Sequence, residues 1–292
     1  MAPALVRLLS PAGCRWGLPL LGVVLAGLSA CVTVEGADTE QNPYLQALEG
    51  QRADLRQARR ALGERRFAEA EAAARQVIAS VPGADRLLDP AVQLPAASRT
   101  ASMAWVFVAA ALSGQDKDAD AEQALGAALR ADLGNAIARF NLGNLYARQR
   151  RHAEAATQYR EVVRLDPRHR QAWLNLAIAE SHRGRSTQAE GIVRRLLERD
   201  PGLAEAHNLQ GVLYLDQGMA IEAVASFKRA VGLKPLRADH HFNLAMALEL
   251  SDRRDDAIQA YRRFLELASL DDPGRTAVQQ ALRRLGAAEA GR

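Results

Sequence analysis

Prolines stand at positions 167, 201 and 235, each 34 residues after the last, and the same interval runs through the rest of the chain. Small residues keep it at Ala109, Gly143, Ala177, Gly211 and Ala245, and again at Ala121, Ala155, Ala189, Ala223 and Ala257. Bulky residues keep it at Leu125, Tyr159, Val193, Phe227 and Tyr261. A fixed interval of this size marks a repeat architecture. The units it defines are 51–84, 102–135, 136–169, 170–203, 204–237 and 238–271, the last five running without an insertion. Each unit reads as two antiparallel helices. The two small-residue phases let the backbones approach, and the bulky phase fills the gap toward the neighbouring unit. Proline ends the second helix because it cannot continue one, and Asp166 and Asp200 before it suit the turn. One hairpin cannot bury its own apolar stripe, whereas a stack of hairpins can. Composition agrees with an all-α chain: Ala, Leu, Arg, Glu and Gln dominate, aromatics are 5% of residues, and β-branched runs of strand length are almost absent.

The segment FNLGNLYARQRRHAEAATQYREVVRLDP, Phe140 to Pro167, closely resembles the tetratricopeptide consensus. The resemblance covers about two thirds of the chain. It implies a right-handed α-solenoid of about six hairpins with a C-terminal capping helix. The expected organisation is a leader at 1–30, a tether at 31–43, a divergent first hairpin at 44–84, an inserted loop at 85–101, five contiguous units at 102–271, and a capping helix and tail at 272–292. In the first hairpin, Arg65 to Pro82 fits a second helix well, while its partner, roughly Tyr44 to Leu62, is highly charged. Residues 83–98 carry two prolines and break the spacing. Pro273 to Leu285 places Ala277, Ala281, Leu282 and Leu285 at helical spacing, as a helix shielding the last hairpin would.

The first thirty residues read as an export signal. Arg7 and Arg15 supply positive charge, and Trp16 to Leu28 form an apolar stretch ending in Ser29 and Ala30. The stretch is shorter than the roughly 20 residues that cross a bilayer. Leu28-Ser29-Ala30-Cys31 resembles a bacterial lipobox, which implies cleavage before Cys31 and lipidation of its thiol. The plainer alternatives are an ordinary secretory signal that happens to contain Cys31, or a segment that is no leader at all, which would make the chain a cytoplasmic regulator. Cys14, the other of two cysteines, lies inside the leader, so the mature chain would hold neither a disulfide nor a cysteine-based metal site. Val32 rather than Asp follows the cysteine, which by resemblance to proteobacterial lipoproteins implies the outer membrane. Residues 32–43 are polar and end at Pro43, as a tether would.

The formal charge of +4 comes from 38 basic and 34 acidic residues. Removing the leader takes away Arg7 and Arg15, leaving 36 against 34, a net of +2. So close a balance gives no general pull toward nucleic acid. Nor does the chain hold a glycine-rich phosphate loop, an HExxH or a GxSxG. His240 and His241 are adjacent and so point to different helix faces, while His207 and His241 share the phase of Trp105 and Trp173, a packing position. The expectation is a chain without catalytic site, cofactor or metal.

In tetratricopeptide arrays the first helices line a concave groove, at the second, fifth, sixth, ninth and twelfth positions of each unit. Carried over by resemblance, the sixth position holds Asn141, Asn175, Leu209 and Asn243, the fifth holds Phe140, Leu174, Asn208 and Phe242, and Asn144 is at a ninth. An asparagine offers an acceptor and two donors, matching a peptide backbone whatever its sequence. Phe140 and Phe242 could add apolar anchors. The row resembles the asparagine ladder of the tetratricopeptide part of O-linked N-acetylglucosamine transferase, without a catalytic domain. Asparagine at these positions can equally cap or brace helices. A carboxylate clamp is poorly supported, because the three lysines, Lys117, Lys228 and Lys234, miss the clamp positions. The convex face and the 83–98 stretch are other possible contact surfaces, and pairing through an end hairpin leaves the oligomeric state open.

These readings converge on a lipid-anchored, periplasm-facing scaffold of the bacterial cell envelope, binding envelope proteins or extended peptide segments and held to the membrane through lipid on Cys31. Similar lipoproteins with such repeats assist type IV pilus secretins and tight-adherence pili. Others are adaptors for peptidoglycan hydrolases, and a non-catalytic subunit of an envelope polysaccharide synthesis complex is a further alternative.

Overall fold

The computed structural model describes residues 43–81 and 95–286. Residues 1–42, with Cys31 and the leader, lie outside the described residues, as do 82–94 in the expected loop. Among the described residues there are thirteen helices and no strand. They fall into two compact units that divide after Ala172.

The N-terminal unit contains α1 (Pro43–Gly63), α2 (Phe67–Ser80), α3 (Pro95–Gly114), α4 (Asp118–Ala131), α5 (Ala136–Arg148) and α6 (His152–Leu165). Consecutive helices pack on one another: α1 on α2, α2 on α3, α3 on α4, α5 on α6. Alanines 58, 61, 70, 74, 104, 111, 121 and 128 are buried at the crossings, and Leu62, Val77, Phe107 and Leu125 fill the spaces between them. The buried Ser102 hydroxyl donates to the Ala128 carbonyl and accepts from Asn135 Nδ2, each at 2.8 Å. Asn135 also caps α5, accepting from the Ala138 amide at 2.9 Å, so one asparagine ties three helices together.

The C-terminal unit takes in most of α7 (Arg170–His182), then α8 (Ser186–Arg199), α9 (Ala204–Asp216), α10 (Ala220–Leu233), α11 (Ala238–Leu250), α12 (Arg254–Leu267) and α13 (Gly274–Arg284). Its core runs from Ala177, Ala189 and Val193 through Leu209 and Leu213, and from Phe227 through Ala245, Tyr261 and Phe264. Val278 and Ala281 of α13 are buried against the last hairpin, with Leu282 and Leu285 beside them.

First helices of the repeats open at 136, 170, 204 and 238 and second helices at 118, 152, 186, 220 and 254, each 34 residues apart. The turn within each hairpin is built the same way. Asp116, Arg150, Gly184, Gly218 and Asp252, again 34 apart, all adopt a positive φ, as does Arg65 in the first hairpin. The amide after each of them reaches back to a carbonyl five residues earlier, as in Arg151 to Tyr146 at 2.8 Å and Arg185 to Glu180 at 2.9 Å. This is the Schellman arrangement, which needs a left-handed residue. Between hairpins, Asp132 and Asp166 accept from the amide two residues on, each at 2.9 Å, closing a side-chain turn.

One boundary differs from the sequence reading. α3 begins at Pro95, inside the stretch expected as loop up to residue 101. Proline at the first turn of a helix costs no hydrogen bond, so Pro95 starts a helix where the sequence suggested a break.

Candidate protein-binding face

In the N-terminal unit one ring organises the candidate positions of α5. Tyr159 of α6 lies over Gly143, where an added Cβ would come within 2.7 Å of the ring. Its hydroxyl donates to Asn144 Oδ1 at 2.7 Å, and its ring sits 5.8 Å from that of Phe140. Phe140 also stacks at 4.8 Å on His169 and is fully buried. That corrects the reading of Phe140 as an exposed anchor: the fifth position of this unit holds the two helices together. Asn144, with its oxygen engaged by Tyr159, braces the hairpin from inside. Asn141 is wholly buried, and neither its amide nitrogen nor its oxygen has a hydrogen-bond partner. An unsatisfied buried amide costs on the order of 1–3 kcal/mol.

In the C-terminal unit Asn175 on α7 is buried. Asn208 of α9 and Asn243 of α11 come together: Asn243 Nδ2 donates to Asn208 Oδ1 at 2.9 Å, and both side chains are half-buried. The pair joins a fifth position to the sixth position of the next unit, 35 residues on, so grouping residues by identical phase misses it. With that bond made, Asn243 keeps its oxygen and Asn208 its amide hydrogens for another molecule. Phe242, next to Asn243, is half-buried with its ring 5.5 Å from Phe264 and 6.3 Å from Tyr261. It can offer an edge to a partner without leaving its packing.

Two of the histidines serve the turns. His207 Nε2 lies 2.9 Å from the Pro201 carbonyl oxygen, and His241 Nε2 stands in the same relation to Pro235. Among the described residues no cluster of three His, Cys, Asp or Glu could hold a metal. Charged side chains at the hairpin turns pair across neighbouring units. Arg151 holds Glu122 at 2.7 Å and lies 4.1 Å from the centre of the Tyr146 ring, and Arg148 holds Asp118 at 2.6 Å. Burial, with Glu122 alongside, pushes the Tyr146 phenol above its ordinary range. In the other unit Lys234 pairs with Glu205. Glu180 is almost fully buried and is held by Arg183 at 2.9 Å.

The tetratricopeptide repeat model matches at 111–167, 148–204, 183–233 and 208–272, which together span 111–272, more than half of the chain. The chain belongs to the tetratricopeptide repeat family. Its fold is the all-α tetratricopeptide solenoid expected from the period. A tetratricopeptide repeat protein from Parabacteroides merdae has a TM-score of 0.64 at 13% identity, over 81% of this chain and 89% of that one. PilF of Pseudomonas aeruginosa gives 0.62 at 16% identity, over 82% and 99%. Human protein O-mannosyl-transferase TMTC3 is 25% identical over 146 residues, 44% of this chain and 16% of that protein, so the match spans about one-sixth of its length. Tetratricopeptide domains bind proteins and peptide segments, and tetratricopeptide scaffolds are in general non-catalytic.

Proposed function

We propose that this tetratricopeptide chain is a non-catalytic scaffold of the bacterial cell envelope, anchored by lipid on Cys31 and facing the periplasm. Outer membrane is the favoured location, because Val32 follows the cysteine. On this reading the first-helix face holds an extended segment of a partner protein, and the work done is assembly of an envelope machine such as a pilus or secretion system. The observation that carries the binding reading is the Asn208–Asn243 pair. Its remaining acceptor and donors match in kind the N–H and C=O of a peptide unit, with Phe242 next to Asn243 in sequence as an apolar contact. The envelope and pilus parts rest on the lipobox and on the resemblance to pilus-assembly lipoproteins.

An in-cell crosslinking pull-down tests this, run on wild type and on Asn208→Ala/Asn243→Ala after both give the same helical melt. A partner captured by wild type and lost from the variant supports the face as the site, and the partner's identity names the machine. Retention of every partner by the variant would show that the pair only braces α9 against α11.

A further inference from the structure

The first hairpin carries a charged face that the binding reading does not use. Helix α1 buries Gln51, Leu55, Ala58, Ala61 and Leu62 on one side. On the other side Arg52, Arg56 and Arg60 are exposed at successive four-residue steps, a stripe about 12 Å long. Between residues 50 and 66 six arginines face only Asp54 and Glu64, a local excess of four positive charges in a chain that is nearly neutral without its leader. Glu64 is taken by Arg66, and so is Glu69, the acid lining the surface groove between α1 and α2 together with Arg56 and Arg60. Glu64 and Glu69 are therefore both occupied by one arginine at the end of the stripe, and Arg52, Arg56 and Arg60 form no ion pair with a described side chain, the remaining acids of the helix being Glu49 and Asp54. Elsewhere in the N-terminal unit, arginines such as Arg148 and Arg151 are spent on acids of the neighbouring hairpin.

We propose that this arginine face of α1 docks on an anionic phospholipid surface. The proposal rests on the reading of Cys31 as the lipid-bearing residue, which brings a membrane within reach. Eleven residues separate Cys31 from the start of α1 at Pro43, a span of at most about 43 Å when fully extended. Of all the described helices, α1 is joined to the anchor by the shortest stretch of chain. A stripe of arginines on a helix so placed matches headgroup phosphates in charge, and guanidinium groups suit phosphate oxygens in geometry. Docking α1 also orients the first repeat with respect to the membrane, which a flexible tether cannot do.

The test measures partition of the full chain onto phosphatidylcholine vesicles and onto vesicles that also contain phosphatidylglycerol. It compares wild type, Arg52/Arg56/Arg60→Gln, and a charge-matched control, Arg194/Arg195/Arg229→Gln, all exposed positions of α8 and α10. Glutamine keeps helix propensity, so the fold is retained. Arg7 and Arg15 of the leader contribute equally to every variant. The α1 variant should lose about tenfold or more of the preference for anionic vesicles at low salt, the control should keep it, and added salt should abolish the difference. An α1 variant that keeps the wild-type preference, or a control that loses as much, overturns the proposal. Retention of the chain on an oligonucleotide through these arginines, without vesicle binding, would reassign the face to nucleic acid and overturn it too. Labelling of Cys31 by a palmitate analogue in cells is scored separately. Absence of label removes the anchor while leaving the vesicle result standing, so the two readings fail independently.

Discussion

At the scale of single residues, the hairpins are held by size matching between two phases of the repeat. Gly143 lies under Tyr159 and Gly211 under Phe227, with no room for a methyl in either place. Gly211→Ala should therefore cost roughly 1–3 kcal/mol. Phe227→Leu in the same chain should recover part of that loss, and urea unfolding of the single and double variants measures the coupling. Ala245 occupies the glycine phase opposite Tyr261, and there the hydroxyl donates to Glu249, one helical turn beyond Ala245, whereas that of Tyr159 reaches Asn144 beside Gly143. The ring is carried along the helix and leaves space for a methyl. Phase alone makes these partners legible in the sequence. It does not reveal depth: Phe140 and Phe242 share a fifth position, yet one is sealed between Tyr159 and His169 while the other keeps an exposed edge. Nor does it reveal pairs that cross phases, which is why Asn208 and Asn243 read as members of separate rows.

Among elements, the recurring unit is the hairpin turn with its left-handed residue. Glycine adopts that conformation freely, while an L side chain there costs on the order of 1 kcal/mol. Gly184 and Gly218 meet the demand; Arg150 at φ 60° does not. Arg150→Gly should raise the unfolding free energy by up to about 1 kcal/mol, and Gly184→Ala should lower it by a similar amount. Denaturant melts of the two variants decide it, and equal effects of one sign would contradict a turn requirement. The sequence made the helix count and phase plain because Ala, Gly and Pro recur on schedule, and helices opening at 136, 170, 204 and 238 follow that schedule. Two things were hidden. The start of α3 was masked by Pro95, a residue that both breaks and begins helices. The network of Ser102, Asn135 and Ala128 joins two side chains 33 residues apart and a backbone carbonyl 26 residues away, which no local pattern announces.

For the molecule as a whole, one buried and one half-buried imidazole link stability to pH. Burial pushes His169 in the N-terminal unit and His240 in the C-terminal unit below their ordinary value of 6.5, and nearby Asp166 and Asp239 offset this only in part. Arg237 adds to the lowering at His240, and Glu205 opposes it. In each case the unfolded chain binds the proton more readily than the folded one. Stability is therefore level above about pH 6.5 and falls as the pH drops through the depressed folded values. Urea midpoints from pH 7.5 down to pH 5 should decline, and His240→Gln should flatten part of that decline. A midpoint that rises on acidification over this range would mean that the imidazoles gain partners on folding.

The pairing of Gly143 with Tyr159 and of Gly211 with Phe227 has a consequence for how such a gene can lengthen or shorten. Each glycine is fitted to a ring in its own hairpin, so a crossover at the Schellman turn would split the match. Joining Gly184 to Met219, for instance, would set Ala177 before Phe227, a methyl where the ring leaves no room. A crossover at the aspartate turns moves both halves together. Copies gained or lost in steps of 34 residues along those seams keep every glycine with its own ring, and the prolines after Asp166 and Asp200 mark two such seams in the coding sequence.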